Sequence, residues 1–247
     1  MISVPLLNNL NAPLVAQLDV NAINIELKAY IEQEIANGVK TAKALIVNQS
    51  DEAIKLGEHY IGTTYTQWGR SNCTANDTET VYSGFVGGSA YTRSGSAINI
   101  LCLINDPQWG MYDSKVNDLP FIGGALFDVY DINVPNSPFD FDKYENHRVP
   151  CSVCMKKKKA STIMIPARKD CHGNWVKEYD GYLYAGHPSH AAATEYICLD
   201  KTPEALDKSP SYTDKMLLYP VMVNCNGAIP CPPYVNGREV TCVVCSR

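Results

Sequence analysis

This 247-residue sequence lacks any apolar run of about 18 residues, so it predicts no transmembrane helix. It also lacks a basic excess, because 21 Lys and Arg stand against 26 Asp and Glu and give a net charge of −5. That balance argues against nucleic acid as a partner. Residues 1–14 have no basic region, and Asn and Pro interrupt their apolar stretch, so they do not resemble a signal peptide. We therefore expect either a cytosolic protein or a secreted one whose leader has been removed.

Recognisable catalytic motifs are missing as well. The sequence holds neither HExxH nor GxSxG, and four of its five histidines lie after residue 140: His147, His172, His187 and His190. His187-Pro-Ser-His190 resembles a metal-binding pair, but Gly186 and Pro188 predict a loop. A Cys–His hydrolase would need a free thiol, which an even number of cysteines does not offer. We therefore predict no catalytic, cofactor-binding or metal-ligating residue.

Cysteine is absent before residue 73 and dense after it. The ten cysteines form an even number, and this density is unusual where glutathione keeps thiols reduced. We predict that all of them form disulfides: Cys73, Cys102, Cys151, Cys154, Cys171, Cys198, Cys225, Cys231, Cys242 and Cys245. The two CxxC pairs could instead hold zinc. Because 87 residues separate these pairs, far more than in a zinc finger, we expect each cysteine to pair outside its own CxxC.

Three N-glycosylation sequons agree with an oxidising compartment. They begin at Asn48, Asn72 and Asn76. Asn72 and Asn76 are too close together for both to carry a glycan comfortably. With the cysteines, these sequons predict a secreted, extracellular glycoprotein.

Residues 14–60 are predicted to form a helical oligomerisation stalk, which follows an N-terminal segment at 1–13. No proline occurs in 14–58, and good helix formers recur there. With Gln49 as the polar exception, the apolar residues follow the 4-3 spacing of a coiled coil: Ile35, Val39, Ala42, Ile46, Ala53 and Leu56. So narrow a stripe on a long helix needs a partner. We favour the same segment of another subunit over a helix that folds back on its own chain.

Residues 61–247 are predicted to form a disulfide-rich antiparallel β head. Short apolar or aromatic runs lie between Gly, Pro, Asn and Asp turn signals, as in TVYSGFVGG, YDGYLYAG and EVTCVVC. No helical pattern alternates with these runs, so a parallel βαβ sheet is not expected. The predicted fold class is mainly β, preceded by a long α-helical coiled coil.

Two charged features suggest weaker possibilities for ligands. Lys156–Lys159 is a run of like charges that predicts an exposed loop, either a solvated turn or a contact for polyanions such as heparin. Acidic and aromatic residues alternate at 127–131 and 139–142, and loop carboxylates of this kind can hold calcium. No EF-hand spacing is present, so calcium has no supporting motif and no cofactor is predicted.

Several motifs together resemble a known extracellular module: YTQWGRSNC, VYSGFVGGSAYTRSGSAINILCL, VPCSVC, IMIPARKDCHGNWVKEYDGYL, EYICLDKTPEAL and GAIPCPPYVNGREVTCVVCSR. Residues 64–247 are similar to the cysteine-rich head of invertebrate secreted proteins described as short-chain collagen C4-like, after sponge short-chain collagens. The resemblance implies an extracellular, disulfide-bonded head and trimers, and it implies no catalytic residues. The chain departs from a collagen because residues 1–63 hold only three glycines, which cannot form a triple helix.

These features predict a secreted homo-oligomer, a trimer by the resemblance, that presents several β heads on one stalk. Such an assembly gains affinity for a multivalent surface without any new contact. The first hypothesis is therefore a lectin-like or adhesive module that binds glycans or extracellular matrix. The alternative is a structural subunit of a matrix or fibre, and the third hypothesis is an enzyme of unrecognised type.

Overall fold

The computed structural model describes residues 2–7, 13–95, 97–110, 120, 122–128, 141–209 and 213–247. The chain divides into two compact units, Met1–Glu58 and His59–Arg247. We refer to them as the N-terminal unit and the β unit. The fold is mainly β with an N-terminal helix, as predicted.

In the N-terminal unit, a pair of strands precedes one long helix. Strands β1 (Ile2–Leu7) and β2 (Pro13–Leu18) are antiparallel. Helix α1 (Val20–Tyr60) has 41 residues. Asp19 caps it, because its Oδ1 accepts hydrogen bonds from the backbone N–H groups of Asn21 and Ala22 at 3.0 and 3.2 Å. The predicted helix start at residue 14 is therefore wrong: residues 14–18 belong to β2, and the helix begins after Asp19.

The apolar side chains of α1 are exposed. Ile35, Val39, Ile46 and Leu56 show 59%, 61%, 64% and 61% of their surface to solvent. All of them belong to the stripe whose spacing predicted a coiled coil. The long helix is thus established, and its coiled-coil pairing stays a prediction.

Ten of the described strands form the sheet of the β unit. Their bounds are β3 Gly62–Trp68, β4 Thr78–Gly88, β5 Leu101–Ile104, β6 Gly123–Phe127, β7 Pro150–Lys157, β8 Thr162–Pro166, β9 Val176–Ala185, β10 Ile197–Asp200, β11 Met216–Pro220 and β12 Thr241–Ser246. A four-residue helix, α2 (Phe141–Tyr144), precedes β7. Most neighbouring strands are antiparallel, as expected, but β10 runs parallel to β3 and β11 runs parallel to β6.

The strand pairings close on themselves. In hydrogen-bonding order, β10, β3, β7, β4, β6, β11 and β9 follow one another, and β9 pairs again with β10. Strands β12 and β8 extend from the other edge of β9. This circuit leaves β10 covered on both faces, since its four residues are all buried.

Side chains on opposite faces of these strands form two cores. Leu199 and Tyr184 belong to the larger cluster, with Phe127, Met216 and Leu218. Their neighbours along the chain, Cys198 and Leu183, belong to the second cluster, with Tyr65, Tyr179 and Val244. The alternation follows from the two-residue period of a strand.

All ten cysteines are paired, and each CxxC pairs outward, as expected. The bridges are Cys73–Cys154, Cys102–Cys151, Cys171–Cys245, Cys198–Cys242 and Cys225–Cys231. No thiol is left for a zinc site or a nucleophile. The disulfides are compatible with a secreted protein.

Candidate functional site

Four aromatic rings pack together near the C-terminal ends of β9 and β11. The ring of His190 lies 4.7 Å from that of Tyr91, 5.3 Å from that of His187 and 5.6 Å from that of Tyr219, measured between centroids. His187 and Tyr219 are 5.2 Å apart. These separations are typical of packed aromatic side chains. The Tyr219 hydroxyl donates a hydrogen bond to Asp128 Oδ2 at 2.9 Å, which fixes one side of the cluster.

A tight turn after β9 positions the two histidines. The backbone N–H of His190 donates to the His187 carbonyl at 3.0 Å. The backbone N–H of Ser189 donates to His187 Nδ1 at 3.2 Å, and the Ser189 hydroxyl lies 2.6 Å from the same nitrogen. Because a backbone N–H can only donate, Nδ1 is an acceptor and the neutral ring carries its proton on Nε2. The predicted loop is confirmed, and no cluster of three metal-ligating side chains occurs among the described residues.

The ring cluster borders a groove of about 1000 Å³. One wall is the segment from the end of β9 to the start of β10, and the other runs from Tyr219 to the residues before β12. Tyr196 at the rim is 60% exposed, and Met222 is 49% exposed. A concave surface with accessible aromatic area and a few polar groups is the usual form of a small-ligand site.

The polar groups of this groove carry little charge. Among the described residues, Glu239 is the one Asp, Glu, Lys or Arg that lines the groove. Asn224, Asn226 and Asn236 supply amides, and Thr194 supplies a hydroxyl whose oxygen accepts a hydrogen bond from the Gly186 N–H at 2.7 Å.

A small disulfide loop holds the amides in place. The Cys225–Cys231 bridge closes this loop, and the backbone N–H of Cys225 donates to Asn236 Oδ1 at 2.9 Å. The backbone N–H of Asn226 donates to Asn224 Oδ1 at 2.9 Å. Both carbonyl ends are therefore occupied by backbone donors, and the NH₂ ends of Asn224 and Asn236 form no hydrogen bond within the described residues.

The three predicted glycosylation residues do not belong to this groove. Asn48 lies on α1, and Asn72 and Asn76 lie between β3 and β4. All three are exposed. Their modification stays a prediction.

The predicted loop at Lys156–Lys159 is wrong for its first two residues, whereas Lys158 and Lys159 do lie in the turn after β7. Lys156 and Lys157 end the central strand β7, which pairs with both β3 and β4. Lys156 is buried, and its Nζ lies 3.5 Å from Oε2 of Glu178, whose side chain is 0% exposed. Lys157 instead forms an exposed pair with Glu79 at 2.9 Å.

The buried Glu178 was not recognised from the sequence. Besides Lys156, its carboxylate accepts hydrogen bonds from Tyr65 at 3.4 Å, Thr78 at 3.5 Å and Ser246 at 2.5 Å. A buried carboxylate requires such compensation. Glu178 occupies an inward-facing position of β9. The sequence pattern does not predict that a glutamate on this strand is buried.

Three buried tyrosines of the β unit have raised pKa values. Burial raises the pKa of Tyr179 well above its usual value, and the charge of Asp200 adds to the effect. Burial and the Glu178 carboxylate raise the pKa of Tyr65, and burial raises that of Tyr184. All three hydroxyls stay protonated in the folded chain over the physiological pH range.

The predicted calcium stretches fall mainly outside the described residues. Residues 129–131 and 139–140 are not described, and Asp128, at the edge of the first stretch, accepts from Tyr219. The described residues therefore offer no support for a calcium site.

Comparison with known proteins gives no assignment. No protein-family model matches the chain, and no curated protein matches it significantly. The resemblance to short-chain collagen C4-like heads stays a prediction. None of the described helices is long and apolar enough to span a membrane.

Proposed function

We propose that the protein is a secreted homotrimer whose β units recognise glycans. The groove lined by the segments that follow β9 and β11 carries this proposal, because it combines an accessible tyrosine, several amides and one carboxylate in a concave surface. Tyrosine offers apolar area for the face of a sugar ring at a low cost in side-chain entropy, and the amides and carboxylate can bond its hydroxyls.

Association is proposed to occur through α1. Its apolar stripe is exposed in the chain, and exposed apolar surface of this extent is typical of an interface. From Ile35 to Leu56 the stripe keeps the 4-3 spacing that packs helices into a coiled coil. The same segment of other subunits is therefore the partner, and the family resemblance favours three chains.

Trimerisation would join three grooves in one molecule. A second binding event then occurs at a raised effective concentration, so avidity can exceed the single-site affinity by about 10²–10⁴-fold. Sites with low affinity for a single sugar can then bind a multivalent surface tightly. The structural-subunit hypothesis needs no groove at all, which is why the groove favours recognition.

The binding test uses the full chain on a glycan array, with soluble sugar as competitor. We expect competable binding that falls at least tenfold when Tyr196→Ala removes the exposed ring. Trp109→Ala is the control, because Trp109 is 79% exposed and does not line the groove. Absence of binding to every glycan, with assembly into fibres, would support the structural alternative instead.

The assembly test compares two neighbouring residues of α1. Ile46 lies in the stripe and Val47 does not, although both are exposed at 64% and 48%. Sedimentation equilibrium should show trimers for the native chain and for Val47→Asp, and monomers for Ile46→Asp. Equal behaviour of the two variants would contradict association through the stripe.

A further inference from the structure

The charge of the groove restricts the class of sugar it can take. In the described part of the chain, Glu239 is the one Asp, Glu, Lys or Arg that lines the groove. Sulfated or carboxylated sugars are normally held by Arg or Lys. Here an anionic ligand would meet a carboxylate and, among the described residues, neither Lys nor Arg, so anionic sugars are disfavoured.

Glu239 needs donors from a ligand. It is partly buried, and its carboxylate forms no ion pair or hydrogen bond with another described residue. An ionised carboxylate only accepts hydrogen bonds, and a bound ligand that removes its water must replace those bonds. Two adjacent hydroxyls of a sugar ring can do so.

The wall that carries Glu239 also offers donors next to an apolar surface. Asn224 and Asn236 have their carbonyl oxygens bonded to backbone N–H groups, so their NH₂ groups are available to a ligand carbonyl. Ala193, Val221 and the 49% exposed Met222 line the same groove. An acetyl group fits both features, because its carbonyl can accept hydrogen bonds from the amides and its methyl group can contact the apolar residues.

We propose that the groove selects an uncharged, N-acetylated pyranose. Its ring packs on Tyr196, its hydroxyls donate to Glu239, and its acetamide carbonyl accepts from the asparagine amides while the methyl contacts the apolar wall. This inference rests on the proposed glycan recognition and specifies its ligand.

Calorimetry with the full chain tests the selection with three probes. Tri-N-acetylchitotriose is uncharged, its de-acetylated counterpart is cationic, and a heparin hexasaccharide is sulfated. We expect the acetylated trisaccharide to bind at least tenfold more tightly than either of the others. Its affinity should change less than twofold between 50 and 500 mM NaCl, because screening affects charged pairs.

A carboxylate variant tests the role of Glu239. Glu239→Gln should weaken binding of the acetylated trisaccharide about tenfold or more, since a hydrogen bond to a charged group is replaced by a weaker one. Glu79→Gln is the control, because Glu79 pairs with Lys157 outside the groove. If Glu239→Gln does not fold, as judged by its melting transition, the three-probe selectivity of the native chain decides.

The outcomes separate this inference from the proposed function. Tight binding of heparin that strengthens in Glu239→Gln, or salt-sensitive preference for the de-acetylated sugar, would overturn the acetamido selection and leave glycan recognition standing. Equal affinity for acetylated and de-acetylated sugars would overturn it as well. Failure of every glycan class to bind would overturn the proposed function itself.

Discussion

Helix α1 exposes its apolar side chains to solvent, whereas the β unit buries a large set of them in its cores. Ile35, Val39 and Ile46 on α1 are 59–64% exposed, whereas Val86, Leu199 and Leu218 in the β unit are 0% exposed. The β unit also holds every disulfide, and the N-terminal unit has no cysteine. The β unit therefore has the contacts to fold by itself, whereas the order of α1 depends on what covers its stripe.

Reduction of the disulfides should produce the largest difference in stability between the two units. Four bridges close loops of 44–81 residues, and each such bridge contributes about 4 kcal/mol on a loop-entropy model. Their sum reaches the whole stability of a typical domain, about 5–15 kcal/mol. Reductant should therefore unfold the β unit, seen by its three tryptophans, while the helical circular dichroism of associated α1 remains.

The small bridge provides the control for this experiment. Cys225 and Cys231 are only 6 residues apart, so their replacement by serine should cost about 2 kcal/mol on the same model. That variant should stay folded. Loss of helix and β signal together on reduction would show that the units are not independent.

Adjacent lysines on β7 should differ in importance. Lys156→Met leaves the buried Glu178 carboxylate without its cation and should cost about 3–5 kcal/mol. Lys157→Met removes an exposed pair and should cost less than about 1 kcal/mol. Urea unfolding measures both, and adding Glu178→Met to Lys156→Met should recover much of the loss. Equal costs for the two lysines would contradict the burial of Lys156.

Alkaline pH should destabilise the β unit through its buried tyrosines. In the unfolded chain a tyrosine loses its proton near pH 10, whereas the raised pKa values of Tyr65, Tyr179 and Tyr184 keep these hydroxyls protonated in the folded chain. The contribution of these tyrosines to stability should thus be constant below pH 10 and fall above it, by about 1.4 kcal/mol per pH unit for each tyrosine.

Tyr179→Phe isolates one of these contributions. The slope of unfolding free energy above pH 10 should become shallower by about 1.4 kcal/mol per pH unit, and the exposed Tyr196→Phe serves as control. Brief urea unfolding at each pH limits disulfide exchange. An unchanged slope would argue that another ionisation controls alkaline unfolding.

The smallest expected effect lies on α1. Gly38 is in the helix interior, and a Cβ added there meets no atom within 4 Å. Gly38→Ala should stabilise the helix by about 1 kcal/mol. The helical melting transition should rise while the tryptophan transition of the β unit stays unchanged. A shift of both transitions would indicate that the two units unfold together.

Periodicity predicted the regular parts of the fold. Runs such as TVYSGFVGG and YDGYLYAG became β4 and β9, and the proline-free segment became α1. The predicted helix start is wrong because residues 14–18 contain good helix formers and no proline, yet they pair with β1 and Asp19 caps the helix. The C-terminal end of β7 was missed because the run of four lysines, two of which lie on β7, suggested a solvated loop, and the partner that neutralises Lys156 lies on β9.

The groove could not be predicted from local patterns. The His187–His190 loop was visible, but Tyr196 and Glu239 are 43 positions apart in the sequence and carry no motif. The pairing of β9 with β10, β11 and β12 brings their flanking segments together. That register depends on tertiary contacts, which one sequence does not reveal.

The disulfide pattern also sets the order in which the bridges can form during synthesis. Cys73 and Cys102 emerge from the ribosome before Cys151 and Cys154, which are their partners, and Cys171 and Cys198 emerge before Cys242 and Cys245. In a chain secreted as proposed, each CxxC would therefore enter the oxidising compartment after the two cysteines with which it pairs. The earlier half of the β unit can be cross-linked while the later half is still being translated. Two cysteines precede each CxxC and cannot form their native bridges until it has been translated. The order of synthesis therefore limits the number of wrong pairs that can form at one time.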